Sequence, residues 1–519
     1  MSFFTDLYDH ILIGAGVAIS PTNLMYCLLG VFLGQLLGAL PGIGSLVAIT
    51  LLFPVTYHLE PTTALIMLAG IYYGSAYGGS AASILLNLPG TPSSAVACLD
   101  GYPLARQGRA GAALSMTTIG SFVGGSLGIL LMMMFAPAIA EAALQFGPWE
   151  YVSLIIMGLM SASAVGSDSP LKGVAMVVVG IFFGVVGQDV SSGVPRFVFG
   201  MNDLLDGIDL VAIAIGLFGI AEVISTLRPG MTEAVDKFAV TLRSMIPTRD
   251  DLRRSWAPIL RGSAIGSFFG ILPGTGALIA SYAAYAIERK VADDPSRFGK
   301  GAMEGLVSPE TANNAADQTA FIPTMTLGIP GSATMAIMLG VLIMNGITPG
   351  PSVVAEQPEL FWGLIMSFWI GNVALVILNI PMIGIWTRVL TVPYQLLYPI
   401  ILAFVCMGIY SINQASFDIW VVFAAGTVGY GLRMLQLPLA PLLLGFVLGP
   451  MLEEHFRRSL VLSHGDFMMF LERPVSLGLL IVTAIIVGSS LYSTYFGRGA
   501  RSALLEEQGA GGPEGDIRP

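Results

Sequence analysis

GQLLGALPGIGSL at residues 34–46 and GSFFGILPGTGAL at residues 266–278 carry one pattern twice. Gly34, Gly38, Leu40, Pro41, Gly42, Gly44 and Leu46 return as Gly266, Gly270, Leu272, Pro273, Gly274, Gly276 and Leu278, a constant shift of 232. Each copy runs an apolar stretch into a Pro-Gly break. Proline removes a backbone hydrogen bond and clashes with the preceding turn, and the adjacent glycines add freedom, so both stretches read as helices that unwind at the break. Farther out, LNLPGTPSSA (86–95) matches LGIPGSATMA (327–336) at a shift of 241. FGPWEYVSLIIMG (146–158) matches TVPYQLLYPIILA (391–403) more weakly at 245. The shifts grow in one direction, as insertions into a duplicated unit make them do.

The medium follows from composition. Of 519 residues, 55% are hydrophobic and 11% charged, against about 25% charged in a soluble domain. With a mean hydropathy of +0.79, this excludes a typical soluble enzyme, a disordered chain and a nucleic-acid binder. Apolar windows begin near Leu24, Thr62, Ala110, Tyr151, Leu171, Ile208, Ala257, Phe321, Leu360, Tyr394, Phe417, Leu437 and Val475. At about 20 residues per crossing they predict an all-α polytopic membrane protein of roughly eleven or twelve transmembrane helices, some of them broken or re-entrant. MSFFTDLYDH lacks the basic start of a secretory signal and is expected to be retained. Cys27, Cys98 and Cys406 lie far apart, and His10, His58, His455 and His464 share no ligand spacing, so neither disulfides nor zinc is expected.

Charge then gives orientation. No Lys or Arg precedes Arg106. Arg228, Lys237, Arg243, Arg249, Arg253, Arg254 and Arg261 concentrate where the apolar halves meet, which predicts a cytoplasmic linker. The expected organisation is an N-terminal segment (1–23), membrane repeat 1 (24–227), a basic linker (228–256), membrane repeat 2 with C-terminal helices (257–497) and a disordered tail (498–519). YHLEPTT after the first break has no base, whereas AIERKVADDPSRFGKG after its counterpart has Arg289, Lys290, Arg297 and Lys300. The contrast reverses for DGYPLARQGR, with Arg106 and Arg109, against the acid-only stretch from Asn345 to Glu359. The halves are therefore expected to be inverted in the membrane, as in alternating-access transporters.

Unwound backbone at membrane depth must be buried in protein or line a cavity, so the four breaks are candidates for one polar centre. Half-helix N-termini attract carboxylates, and freed carbonyls with hydroxyls can hold a hard cation. The bland alternative is kinks in a packed bundle. SPETANNAADQTAF (308–321) is a second polar stretch, read equally as a functional segment or as a solvated loop, with Tyr77–Asn87 as its rough counterpart. Asp168, Asp189, Asp203, Asp206 and Asp209 read as loop residues, Met132, Met133 and Met134 as packing, and Trp149, Trp256, Trp362 and Trp386 as interfacial anchors.

YYGSAYGGSAASILLNLPGTPSSAVACLDGYPLARQGRAG, FGILPGTGALIASYAAYAIERK and FGKGAMEGLVSPETANNAADQTAFIPTMTLGIPGSATMAIMLGVLIMNGITPGP closely resemble the large membrane subunit of tripartite tricarboxylate transporters, the TctA family. The resemblance runs from about residue 24 to about residue 497. It implies a multi-pass carrier of the bacterial inner membrane working with a small TctB-like membrane subunit and a periplasmic, TctC-like solute-binding protein. It also implies uptake of a tricarboxylate or other organic carboxylate, driven by an ion gradient, with sodium as the coupling ion and no other cofactor. Within that frame Asn87, Gly90, Thr91, Ser93, Ser94, Asn313, Asn314, Gly331, Ser332 and Thr334 are assigned to the carboxylate, and Gly42, Gly44, Ser45, Gly274, Thr275 and Gly276 to the cation. No Arg or Lys lies in the four breaks, so charge compensation falls to helix termini and co-transported cations. A channel is the competing class. An enzyme is disfavoured because no G-x-S-x-G, H-E-x-x-H or Ser-His pairing is found, and a primary pump because no G-x-x-x-x-G-K-[ST] is present.

Overall fold

The computed structural model describes residues 2–40, 43–165, 169–189, 192–226, 240–274, 276–389 and 394–496. Helices α1 (Ser2–Ala18), α2 (Pro21–Ala39), α3 (Ser45–Thr56), α4 (Pro61–Leu86), α5 (Ala97–Leu104, entered through a 3₁₀ turn at Pro92–Val96), α6 (Ala110–Ala143), α7 (Pro148–Val165) and α8 (Pro170–Gly184) open the chain. A two-residue antiparallel pair, β1 (Gly187–Gln188) with β2 (Pro195–Arg196), is the only sheet among the described residues. Helix α9 (Leu210–Ala214) continues through a π turn at Ile215–Ile220 into α10 (Ala221–Thr226). The second half holds α11 (Arg249–Ile271), α12 (Gly276–Val291), α13 (Met303–Thr319), α14 (Phe321–Leu327), α15 (Ala333–Met344), α16 (Pro351–Glu356), α17 (Pro358–Asn379), α18 (Ile383–Val389), α19 (Tyr394–Asn413), α20 (Ser416–Met434), α21 (Leu439–Leu462), α22 (Met469–Glu472) and α23 (Pro474–Phe496). Among the described residues five helical stretches are long and apolar enough to cross a membrane: Pro21–Ala39, Pro92–Ala143, Pro358–Asn379, Leu439–Leu462 and Pro474–Tyr492. Shorter apolar helices at Ser45–Thr56, Pro170–Gly184, Leu210–Ser225, Ala333–Met344 and Ile401–Ile412 complete an all-α polytopic membrane protein.

Glycine spacing sets the packing at the centre. A Cβ on Gly30, Gly34 or Gly38 of α2 would lie 2.3, 2.4 or 2.2 Å from the carbonyl oxygens of Met67, Ile71 and Ser75 on α4. In the other half, Gly262, Gly266 and Gly270 of α11 meet α13 at Ser308, Ala312 and Ala316 in the same way. Without side chains in the seam the backbones come into contact, the arrangement that packs helices closely where lipid offers no hydrophobic drive. Both numbers rise together in each seam, so α2 runs parallel to α4, and α11 to α13. Thr63 Oγ1 donates to Asn23 Oδ1 over 2.5 Å, placing the start of α4 beside the start of α2. Helix α3 must therefore carry the chain back, and α2–α3 is a hairpin with its tip at the first break. The Arg261 guanidinium likewise grips the Glu288 carboxylate (3.0 and 2.5 Å) across the arms of the α11–α12 hairpin.

The relation between the halves follows from two contacts. Tyr72 donates to Asp317 over 2.5 Å, and Ser80 bonds Glu310, so α4 ascends as α13 descends. Since α2 and α4 are parallel, as are α11 and α13, the two halves are inverted relative to each other. The repeat is thus a property of the packing as well as of the sequence.

Several expectations change. SPETANNAADQTAF is no loop: from Gly305 to Thr319 every residue of α13 is buried. The seams pair Ser308 with Met67 and Ala316 with Ser75, so its counterpart is the middle of α4 and not Tyr77–Asn87. Trp149, Trp362 and Trp386 are buried in protein, and of the four tryptophans only Trp256 is exposed. The first 18 residues are more than a leading segment, since α1 packs along α17. The end of the basic linker is already helix, α11 beginning at Arg249 with Thr248 and Asp251 forming its capping box. Residues 227–239, Asp168 and the tail from 497 lie outside the described residues.

Candidate functional site

Each half builds its break the same way. Helix α4 ends at Asn87, in the left-handed region at φ 57°, and α14 ends at Gly328, at φ 70°. These are the same position under the shift of 241, and both end their helix with a left-handed residue. Gly90 then fits against Gly38 and Gly79, where a Cβ would stand 2.3 Å from the Gly38 carbonyl oxygen. Its counterpart Gly331 sits against Gly270 and Ala320. The hairpin tips close on these turns: Gly44 approaches Pro92 and Gly90, and Gly276 approaches Ser332 and Gly331.

All four breaks meet at one cavity of about 500 Å³, within the range of small-ligand pockets. Its wall includes Gly44, Ser45, Gly90, Thr91, Ser93, Gly274, Gly276, Gly331, Ser332 and Thr334. Here the helical segments that follow the breaks begin: α3 after Gly44, the 3₁₀ turn that leads into α5 after Thr91, α12 at Gly276 and α15 after Ser332. The orphan N–H groups of a helix start carry partial positive charge, so four starts on one cavity favour an anion. Two of the hydroxyls are already engaged as caps. Thr91 accepts from the Ser94 amide at 3.3 Å, and Ser332 accepts from the Met335 amide at 3.3 Å. Gly44 provides no side-chain cap, which leaves the amides starting α3 facing the wall without one.

Other candidates stand elsewhere. Asn87 is exposed and does not line the cavity. Ser94 is buried behind it, bonded to Thr91 and to Ser83. Asn314 turns to α6, donating to Ser121 at 2.7 Å. Asn313 is fully buried on α13 between Glu310 and Asp317. Gly42 and Thr275 lie outside the described residues.

Four polar wall residues escape a reading confined to the breaks: Tyr72, Asp317, Glu222 and Arg433. Arg433, in the last turn of α20, pairs with Glu222 of α10. A guanidinium therefore does reach the cavity, from a helix about 100 residues beyond the nearest break. GLRMLQ has no local mark of this role, since a basic residue near a helix end equally reads as an interfacial anchor. Asp317 sits on a buried polar helix, and that polarity was its one signal.

The sequence pattern of the tripartite tricarboxylate transporter TctA family matches residues 24–444. The chain is 48% identical, over 92% of its length and 95% of the relative's, to an uncharacterised 52.8 kDa protein in the TAR-I ttuC' 3' region of Agrobacterium vitis. It is 52% identical to an uncharacterised protein in the TAR-II ttuC' 3' region of the same organism, over 41% of this chain and 89% of the relative. No solved structure matches.

Proposed function

The chain belongs to the tripartite tricarboxylate transporter TctA family, and from that premise we propose that it is the large membrane subunit of a binding-protein-dependent secondary transporter that imports tricarboxylates or other organic carboxylates across a bacterial inner membrane. One observation carries the reading: four helix starts from two inverted halves, and one guanidinium, surround a cavity of about 500 Å³. The amides that start α3, the 3₁₀ turn at Pro92–Val96, α12 and α15 hold the carboxylate groups, and Arg433 exchanges its Glu222 partner for a substrate carboxylate. Inverted hairpins meeting at their tips suit alternating access, because tilting or sliding one set against the rest exposes the same cavity to either side. A sodium gradient drives net uptake. A small membrane subunit and a periplasmic solute-binding protein complete the system, and no chemical step is assigned to the chain.

The test is uptake of labelled citrate into proteoliposomes holding this chain and its small membrane partner, with and without binding protein, under an inward sodium gradient. Accumulation requiring both supports the proposal, and a panel of dicarboxylates and aromatic acids follows if citrate is inert. Flux without binding protein, running down either gradient without saturation, overturns it in favour of a channel.

A further inference from the structure

Helix α13 carries two carboxylates deep inside the protein, Asp317 on the cavity wall and Glu310 behind it. Glu310 is 1% exposed and Asp317 3%. Each has one polar contact from α4: Ser80 bonds Glu310 Oε2, and Tyr72 donates to Asp317 Oδ1 at 2.5 Å. Among the described residues neither forms an ion pair, and every pair that is formed lies elsewhere. The facing titratable groups are Tyr72 and Tyr77 of α4 and Cys98 of α5, none cationic. On α12, Tyr285 bonds Asp100 and Glu288 is held by Arg261 of α11, while α6 and α17 present Ser121 and Asn372. Two buried anions without a counter-charge are unstable, because the desolvation of each goes uncompensated.

A second observation points to what balances them. Asn313 lies three residues after Glu310 and four before Asp317, on the same face of α13 and beside the Glu310 carboxylate. It is completely buried, its Nδ2 is turned to the Glu310 carboxylate, and its Oδ1 has no hydrogen-bond partner in the protein. Gln318 Oε1, one residue past Asp317, is also unpartnered. Buried amides are normally satisfied, so an orphan amide oxygen between two uncompensated carboxylates marks a place for a positive ligand. Carboxylate and amide oxygens are the donors a hard cation takes.

We propose that the face of α13 formed by Glu310, Asn313 and Asp317 binds the monovalent cation, sodium or a proton, that couples to substrate movement. The proposal rests on the transporter reading. It places the cation against α4, so that binding neutralises the contact between the inverted halves, and not on the broken backbone. Asp317 also lines the cavity, so occupancy removes a negative charge from the wall that a carboxylate must approach. That links the two ligands electrostatically.

The test needs no transported substrate, so it fails separately from the carrier reading. Purified full-length chain with its small partner is melted in detergent at fixed ionic strength, replacing choline with sodium at pH 7.5, and separately from pH 5 to 8 without sodium. A ligand that binds only the folded state raises Tm with its concentration. The expected result is a sodium-dependent rise whose half-saturating concentration increases at least tenfold in Glu310→Gln and in Asp317→Asn. A sodium-independent pH response across this range that both variants abolish supports the proposal with the proton as the ion. If the neutralised proteins fail to fold, Asn313→Ala, which removes the unpartnered amide oxygen and keeps both carboxylates, must produce the same loss. Wild-type protein indifferent to both ions, or sodium responses unchanged in the variants, overturns it.

Discussion

Arg433 and Glu222 provide the sharpest test of the cavity, because the two members of one ion pair should respond in opposite directions. Arg433 and Glu222 side chains are 32% and 20% exposed, so their interaction is screened only in part. A hydrogen bond to a charged partner contributes about 1.5–3 kcal/mol, or roughly 10- to 150-fold in affinity. Substrate must displace Glu222 to gain that bond, which puts the net effect near the lower figure. Arg433→Gln removes the bond and also leaves Glu222 facing an incoming anion without this partner, so the half-saturating carboxylate concentration should rise at least about tenfold. Glu222→Gln frees the guanidinium from its competitor and should leave that concentration unchanged or lower it. The double variant should recover part of what Arg433→Gln loses, the non-additivity expected of contacting residues. Substrate exchange in proteoliposomes, with equal ions on both sides, measures the concentration without requiring net coupling. Equal losses in both single variants would mean that the pair merely ties α10 to α20, and would remove Arg433 from the site.

Three further outcomes follow from the packing and the caps. Gly266→Ala would drive a Cβ to 2.2 Å from the Ala312 carbonyl oxygen and should cost about 1–3 kcal/mol, seen as a lower Tm, whereas Gly431→Ala, with open space around it, should be neutral or mildly stabilising. Asp100 is fully buried and accepts from the Gly301 and Ala302 amides (both 2.8 Å) and from Tyr285 (3.1 Å), so Asp100→Ala should cost at least about 2 kcal/mol and reduce the yield of folded protein. Burial pushes the Asp251 carboxyl up, but its bonds to Arg109 and Thr248 prevail and hold it below the ordinary carboxylate value. A carboxyl depressed in the folded state contributes its stability above the unfolded value of about 3.9 and loses it as pH falls through the folded one; Tm compared with Asp251→Asn should converge only below about pH 4.

The break sequences also separate binding from building. Asn87→Gly should leave exchange intact, since Asn87 is an exposed helix stop and Gly already serves at the equivalent Gly328. Ser94→Ala should act through stability, because Ser94 caps the turn at Thr91 behind the wall. Thr334→Ala, on the wall itself, should weaken exchange without lowering Tm.

The chain's own text was enough for the membrane, the duplication, the inversion and the four breaks. Those are consequences of composition, of Pro and Gly at fixed spacing and of where Lys and Arg fall, all local in sequence. The wall residues Gly90, Ser93, Gly276 and Ser332 were legible for the same reason, each standing at a break that had to be enclosed. Tertiary structure alone decided which polar residues stand on the cavity wall and which are held in the fold. Asn87 and Ser94 resemble ligands in sequence, but a left-handed φ and a capping bond account for them. Arg433 resembles an anchor, and only the approach of α20 to α10 sets it on the cavity. The polar run in α13 reads equally as a functional segment or as a solvated loop until the glycines of α11 press it inside, where its carboxylates lie against α4, more than 200 residues away in the chain. A side chain's burial and partners are set by helices that meet across the whole length of the chain, and no local spacing records that meeting.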